Sequence, residues 1–138
     1  MGISQAGWVM PLAAMRARDV RFMVLVVGPT VPVGLEIYYS SLAEGTATSV
    51  EELSARLLAY AGPLGYAPLP QLQQLNVPGL WVLGGQDRSI PTRETVAILS
   101  ELAAAGKPYR WIVYPDAGHS LAGVDYIPEV VAFADALR

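Results

Sequence analysis

The chain of 138 residues contains no cysteine, which removes disulfides, thiolate metal sites and a cysteine nucleophile at once. It has a single histidine, His119, too few nitrogen donors for an ordinary zinc site; neither a metal nor any other cofactor is expected. Charge is scarce as well. Asp, Glu, Lys and Arg make up 15% of the residues, 12 acidic against 9 basic, for a net charge of -3. No stretch gathers Lys and Arg as phosphate binding requires, so nucleic acid is not an expected partner. Long apolar runs are missing too. The run from Phe22 to Val27 stops well short of the roughly 18 residues a membrane helix needs, and Gly28, Pro29, Pro32 and Gly34 break up the next stretch of chain. Residues 8–15 are apolar, but no basic residue precedes them as in a secretory signal. The expectation is a chain without membrane association, in the cytoplasm.

What the chain does have is apolar bulk. Hydrophobic residues make up 53% and the mean hydropathy is +0.37, a surplus that a partner is expected to cover. The length suits one domain. Along it, helix and strand signals alternate. Residues 6–18 carry Trp8, Leu12 and Met15 at helical spacing and end in Arg16 and Arg18. The continuous run 22–27 suits a strand buried on both faces. Residues 34–48 are loop-like or weakly helical, and Ser49-Val50-Glu51-Glu52 opens a helix to about Tyr60. Strands follow near 80–84 and 109–114, separated by a helix from Pro91 to Gly106, and a closing helix covers 124–137. Alternation of this kind implies an α/β fold with parallel strands.

Three residues stand where strands end. Gly2-Ile3-Ser4-Gln5-Ala6-Gly7 has small residues two before and two after a serine, as a sharp strand-to-helix turn that exposes the hydroxyl would need. Asp87 follows Leu80-Trp81-Val82-Leu83-Gly84-Gly85-Gln86, and His119 sits in Ala117-Gly118-His119-Ser120. Each has a plain alternative: a serine in a glycine-rich terminal tail, a turn aspartate, a surface-loop histidine. Together they give the chain order serine, acid, histidine, the order of one class of hydrolase.

On those three motifs, and on Ile90-Pro91 after the acid, the chain resembles the C-terminal half of an α/β-hydrolase, of the esterase, dienelactone hydrolase or prolyl-oligopeptidase-like branch. The resemblance implies Ser4 as nucleophile, Asp87 as orienting acid, His119 as base and the Gln5 amide as an oxyanion donor. It also implies a cap-like insertion near 34–75 over the substrate, with Trp8, Tyr38, Tyr39 and Tyr66 as candidates to line the pocket. The fold expected is a truncated one, about three parallel strands flanked by helices, without the family's N-terminal strands and the second oxyanion donor they carry. Loss of one such donor costs about 2.7–4 kcal/mol of transition-state stabilisation. The strand at 22–27 would then be an open hydrophobic edge, to be covered by a homodimer or by a complementing N-terminal half. The expected activity is that of a serine carboxylesterase on small acyl esters; a peptidase-like hydrolase and a catalytically silent fragment or assembly module are the alternatives.

Overall fold

A computed structural model describes residues 1–17 and 19–138; Arg18, taken from the sequence as the end of the first helix, lies outside them. The elements in chain order are β1 (Gly2–Ile3), α1 (Ala6–Arg16), β2 (Met23–Val26), α2 (Val33–Ala43), α3 (Val50–Leu57), α4 (Leu69–Gln74), β3 (Gly79–Gly84), α5 (Thr92–Ala104), β4 (Tyr109–Tyr114) and α6 (Ile127–Asp135). The strands form one sheet in the order β1-β2-β3-β4, all neighbours parallel. Among the described residues no helix is long and apolar enough to cross a membrane.

Side chains alternate across a strand, and here the alternation sorts the core into two layers. Met23, Leu25, Trp81, Leu83 and Tyr109 face one side, where they pack with Ala14 of α1, Leu72 of α4 and Leu99 and Leu102 of α5. Val24, Val26, Leu80 and Val82 face the other, against Phe133 of α6 and Leu121. Strands covered on both faces need no polar side, which is why β2 and β3 read as unbroken apolar runs. Trp81 is fully buried at the centre of the first layer and meets Tyr109 edge to face at 5.3 Å between ring centres.

The segment between β2 and β3 departs from the sequence reading. It holds three helices where one was expected. Helix α2 includes Gly34, Ser40 and Ser41, weak helix formers, and is held by packing of Tyr39 and Ala43 on Leu53 and Leu57 of α3. Helix α3 starts as read, with the Ser49 side chain accepting from the Glu52 amide. It ends earlier, because residues 58–60 tighten into three-residue turns, Leu58 to Ala55, Ala59 to Arg56 and Tyr60 to Leu57. Helix α4 is six residues long, too short to show a helical period.

The edge of the sheet is also corrected. β2 has a neighbour on each side: Gly2 pairs with Leu25 and Ile3 with Val26 on one, and β3 lies along the other. Two residues at the start of the chain form the fourth strand. The outer edge belongs to β1, where Met1 (70%) and Ile3 (59%) are exposed.

Candidate active site

The sheet being parallel, all of its strands end on the same side, and the three residues singled out from the sequence lie at that carboxyl edge. Ser4 directly follows β1, Asp87 comes just after β3, and His119 lies in the loop after β4. Ser4 is held at a φ of 52°, the left-handed region that a non-glycine residue enters at a cost of order 1–3 kcal/mol. Its amide donates to the Val26 carbonyl at 2.9 Å, and the Gly7 amide returns to the Ser4 carbonyl at 2.9 Å. This is a strand-to-helix turn closed by its own backbone. Gly7 is where α1 meets the chain after β2: a Cβ there would stand 2.4 Å from the Pro29 carbonyl oxygen. A side chain at that position would lever the helix, and the serine at its start, away from the sheet. Gln5 follows at the start of α1, where the first amides of a helix have no intrahelical acceptor and point outward.

Asp87 and His119 are brought into direct contact. The Asp87 carboxylate is fully buried and its Oδ2 lies 2.8 Å from His119 Nδ1; the imidazole side chain is 33% exposed. The other carboxylate oxygen, Oδ1, accepts from the Ser89 and Ile90 amides, each at 2.8 Å. With both oxygens engaged, the carboxylate is fixed in direction, and so is the ring it bonds.

The pair forms because the two loops lie backbone against backbone. Gly85 donates to the Tyr114 carbonyl at 2.8 Å and Gln86 to the Ala117 carbonyl at 2.9 Å. A Cβ on Gly84 would stand 2.5 Å from the Ala117 carbonyl oxygen, and one on Gly85 2.5 Å from that of Pro115. The Gly-Gly pair read from the sequence as a turn is therefore also a contact surface. The hydrogen bond that His119 donates to Asp87 raises the His119 pKa above its ordinary 6.5; burial opposes the rise, and the charges of Asp87 and Glu36 add to it.

Among the described residues, the hydrogen bonds of Ser4 and of His119 do not join the two. The structure thus brings together acid and base, and sets the serine on the same edge, on a strand two places from the one that carries the acid.

The expected pocket residues fall in different surroundings. Trp8 is half-buried and its indole N–H donates to the Val31 carbonyl at 2.9 Å. The Tyr66 hydroxyl donates to the Trp8 carbonyl at 3.3 Å, joining α1 to the segment before α4. Tyr38 stacks on Tyr60, ring centres 4.9 Å apart. Tyr39 is 1% exposed and donates to the Asp87 carbonyl at 2.8 Å; it braces the acid loop from beneath, which leaves it no surface for a ligand.

Two further residues had no signal in the sequence. Arg88 donates to the carbonyls of Ala43 at 2.9 Å and Thr46 at 2.8 Å and to that of Thr48, tying the α2–α3 connection to the acid loop. Glu36, in the first turn of α2, lies within the electrostatic reach of both His119 and Asp87. Neither could be found without knowing that α2 is a helix. Among the described residues no cluster of three His, Asp or Glu could hold a metal ion.

Comparison with known proteins identifies the family and the fold. Residues 1–136 match the model of the "Prolyl oligopeptidase family". Over 61 residues, 44% of this chain and 22% of the relative, the sequence is 43% identical to a protein of Escherichia coli (strain K12) named "Putative carboxymethylenebutenolidase". Over 62 residues it is 31% identical to the acylamino-acid-releasing enzyme of Rattus norvegicus, 45% of this chain and 8% of that one. In fold it is similar to the Pyrococcus horikoshii acylaminoacyl peptidase, with a TM-score of 0.60 and 14% identity over 88% of this chain and 20% of the peptidase. The aligned stretches therefore cover less than a quarter of each of these proteins.

Proposed function

The chain belongs to the prolyl oligopeptidase family, and from that premise we propose that it is a serine hydrolase acting on small acyl esters, with Ser4 as nucleophile, His119 as base and Asp87 as orienting acid. The observation that carries the reading is the 2.8 Å contact between His119 Nδ1 and the buried Asp87 carboxylate. A proton held on Nδ1 by that bond leaves the lone pair on Nε2, the nitrogen that a serine hydroxyl must meet. In the reaction, Ser4 Oγ bonds to the ester carbonyl carbon as Nε2 takes its proton, and the Gln5 amide supports the oxyanion. The tetrahedral adduct expels the alcohol, which receives that proton. Water then attacks the acyl-enzyme with His119 again as base, releasing the acid and restoring Ser4. The relative named for carboxymethylenebutenolide fits an ester substrate, since a butenolide is a cyclic ester. The two acylamino-acid relatives favour a second reading, cleavage of an N-acylated amino acid; the ratio of rates on matched acyl-amino-acid esters and anilides separates the two.

A fluorophosphonate probe tests the reading directly. One adduct is expected, on Ser4, and its rate of formation requires neutral His119. Because the folded pKa is raised, His119 holds its proton to a higher pH than a free histidine, so labelling on acidification is half lost at a pH above the ordinary value of 6.5. Absence of the adduct leaves the silent-module reading standing. A rate that is flat between about pH 5 and 8 means that histidine is not the base.

Of the segment 34–75, α2 is assigned the role of a cap, since Tyr39 and Arg88 fasten it to the Asp87 loop, whereas Leu72 of α4 belongs to the core against the sheet. The second oxyanion donor is assigned to a partner along the outer edge of β1, a second copy or a complementing N-terminal half. Static light scattering of the chain alone distinguishes them: a dimer at micromolar concentration supports the first, and a monomer removes it.

A further inference from the structure

Glu36 is an acidic side chain within electrostatic reach of the His119–Asp87 pair that the reaction scheme does not use. Its position follows from geometry. Tyr39 hangs α2 on the acid loop by the 2.8 Å bond from its hydroxyl to the Asp87 carbonyl. Residues three apart on a helix share a face, so Glu36, one turn before Tyr39, is carried on the side of α2 that meets the Asp87 loop. It is half-buried. Among the described residues it enters no ion pair; Arg88, the cation next to Asp87 in the chain, is occupied with the carbonyls of Ala43, Thr46 and Thr48.

We propose that Glu36 is a second acid of the site, a positioning residue whose carboxylate helps Asp87 to hold the positive charge that forms on His119 when it takes the proton of the nucleophile. The role rests on the hydrolase reading above. It is exerted through space, because Nδ1 is already taken by Asp87. Glu36 and His119 act on each other as one charge pair. Burial raises the Glu36 pKa, His119 pulls it down and Asp87 pushes it up; His119 is raised first by its bond to Asp87, against burial, and further by the charges of Asp87 and Glu36. The charged groups whose fields reach the imidazole are Asp87, from the loop after β3, and Glu36, from α2. A negative charge beside a site where positive charge develops favours the transition state over the neutral ground state.

The single histidine makes the test direct, since its ring proton resonances need no assignment against others. His119 is titrated by NMR in the unaltered chain and in Glu36→Gln, Glu36→Asp and Glu36→Lys, with the exposed Glu101→Gln as control. The midpoint is expected to fall in Glu36→Gln, to fall further in Glu36→Lys, and to stay near the parent in Glu36→Asp and the control. The acidic limb of kcat/KM moves the same way, to lower pH, and the plateau rate of Glu36→Gln drops several-fold. Midpoints that coincide in Glu36→Gln, Glu36→Lys and the parent overturn the proposal, even in a chain whose Ser4 takes up fluorophosphonate. Failure of that labelling in the parent overturns the hydrolase reading, and this role with it.

Discussion

Ester hydrolysis by His119→Ala is expected to fall by about a millionfold in kcat, or to the uncatalysed background if that is reached first, and Ser4→Ala by as much. The two losses do not add. Nucleophile and base act as one unit: without the imidazole the hydroxyl keeps its proton, and without the hydroxyl the imidazole has nothing to activate. The double variant is therefore no slower than either single one. Folding should survive both changes. Ser4 sits in the turn before α1, and His119 projects from a loop whose backbone is held independently, by Gln86 on Ala117 and Leu121 on Gly118. The assay is burst and steady-state kinetics on a p-nitrophenyl ester, with circular dichroism to confirm the fold. Activity in Ser4→Ala equal to that of the parent would assign turnover to another group.

Asp87→Asn is expected to cost about 10⁴ in kcat with little loss of stability. The reason lies in how the two carboxylate oxygens are used. Oδ1 accepts from the Ser89 and Ile90 amides, and an asparagine carbonyl can do the same. Its Nδ2 then faces His119 Nδ1 in place of Oδ2, donor against donor, so the ring shifts its proton to Nε2 and loses the lone pair that the serine needs. Asp87→Ala behaves differently. It removes the acceptor of the Ser89 and Ile90 amides, at about 1–3 kcal/mol each, and so lowers the urea midpoint as well as the rate. An asparagine variant that is destabilised as much as the alanine variant would show that the charge, rather than the acceptor geometry, holds the loop.

The parts of this site that could be read in advance are those encoded locally. Met23–Val26 and Gly79–Gly84 are apolar throughout because both sheet faces are covered, and that uniformity marks them as buried strands without any partner being known. Ser4, Asp87 and His119 follow strands, and their order along the chain is what singles them out as candidates. What could not be read depends on contacts between distant residues. Helix α2 carries Gly34, Ser40 and Ser41, and its stability comes from Tyr39 and Ala43 packing on α3; local preference alone points to a loop. Once α2 is missed, Tyr39 looks like a pocket aromatic when it is a core brace, and Glu36 is invisible. β1 could not be seen as a strand because two residues carry no period, and its absence made the run at 22–27 look like an edge.

The machinery is unevenly anchored. Base and acid are mounted on loops that grip each other, at the ends of two strands matched over six positions, Gly79 to Tyr109 through Gly84 to Tyr114. The nucleophile hangs from a strand matched over two, Gly2 to Leu25 and Ile3 to Val26. On warming, the short strand is expected to fray first, so in the proposed hydrolase the hydroxyl would drift from a His119–Asp87 pair that is still intact, and turnover would fail while most of the sheet stands. Whatever docks against the outer side of β1 would then act as a splint, setting the temperature at which the proposed hydrolase works without touching its chemistry.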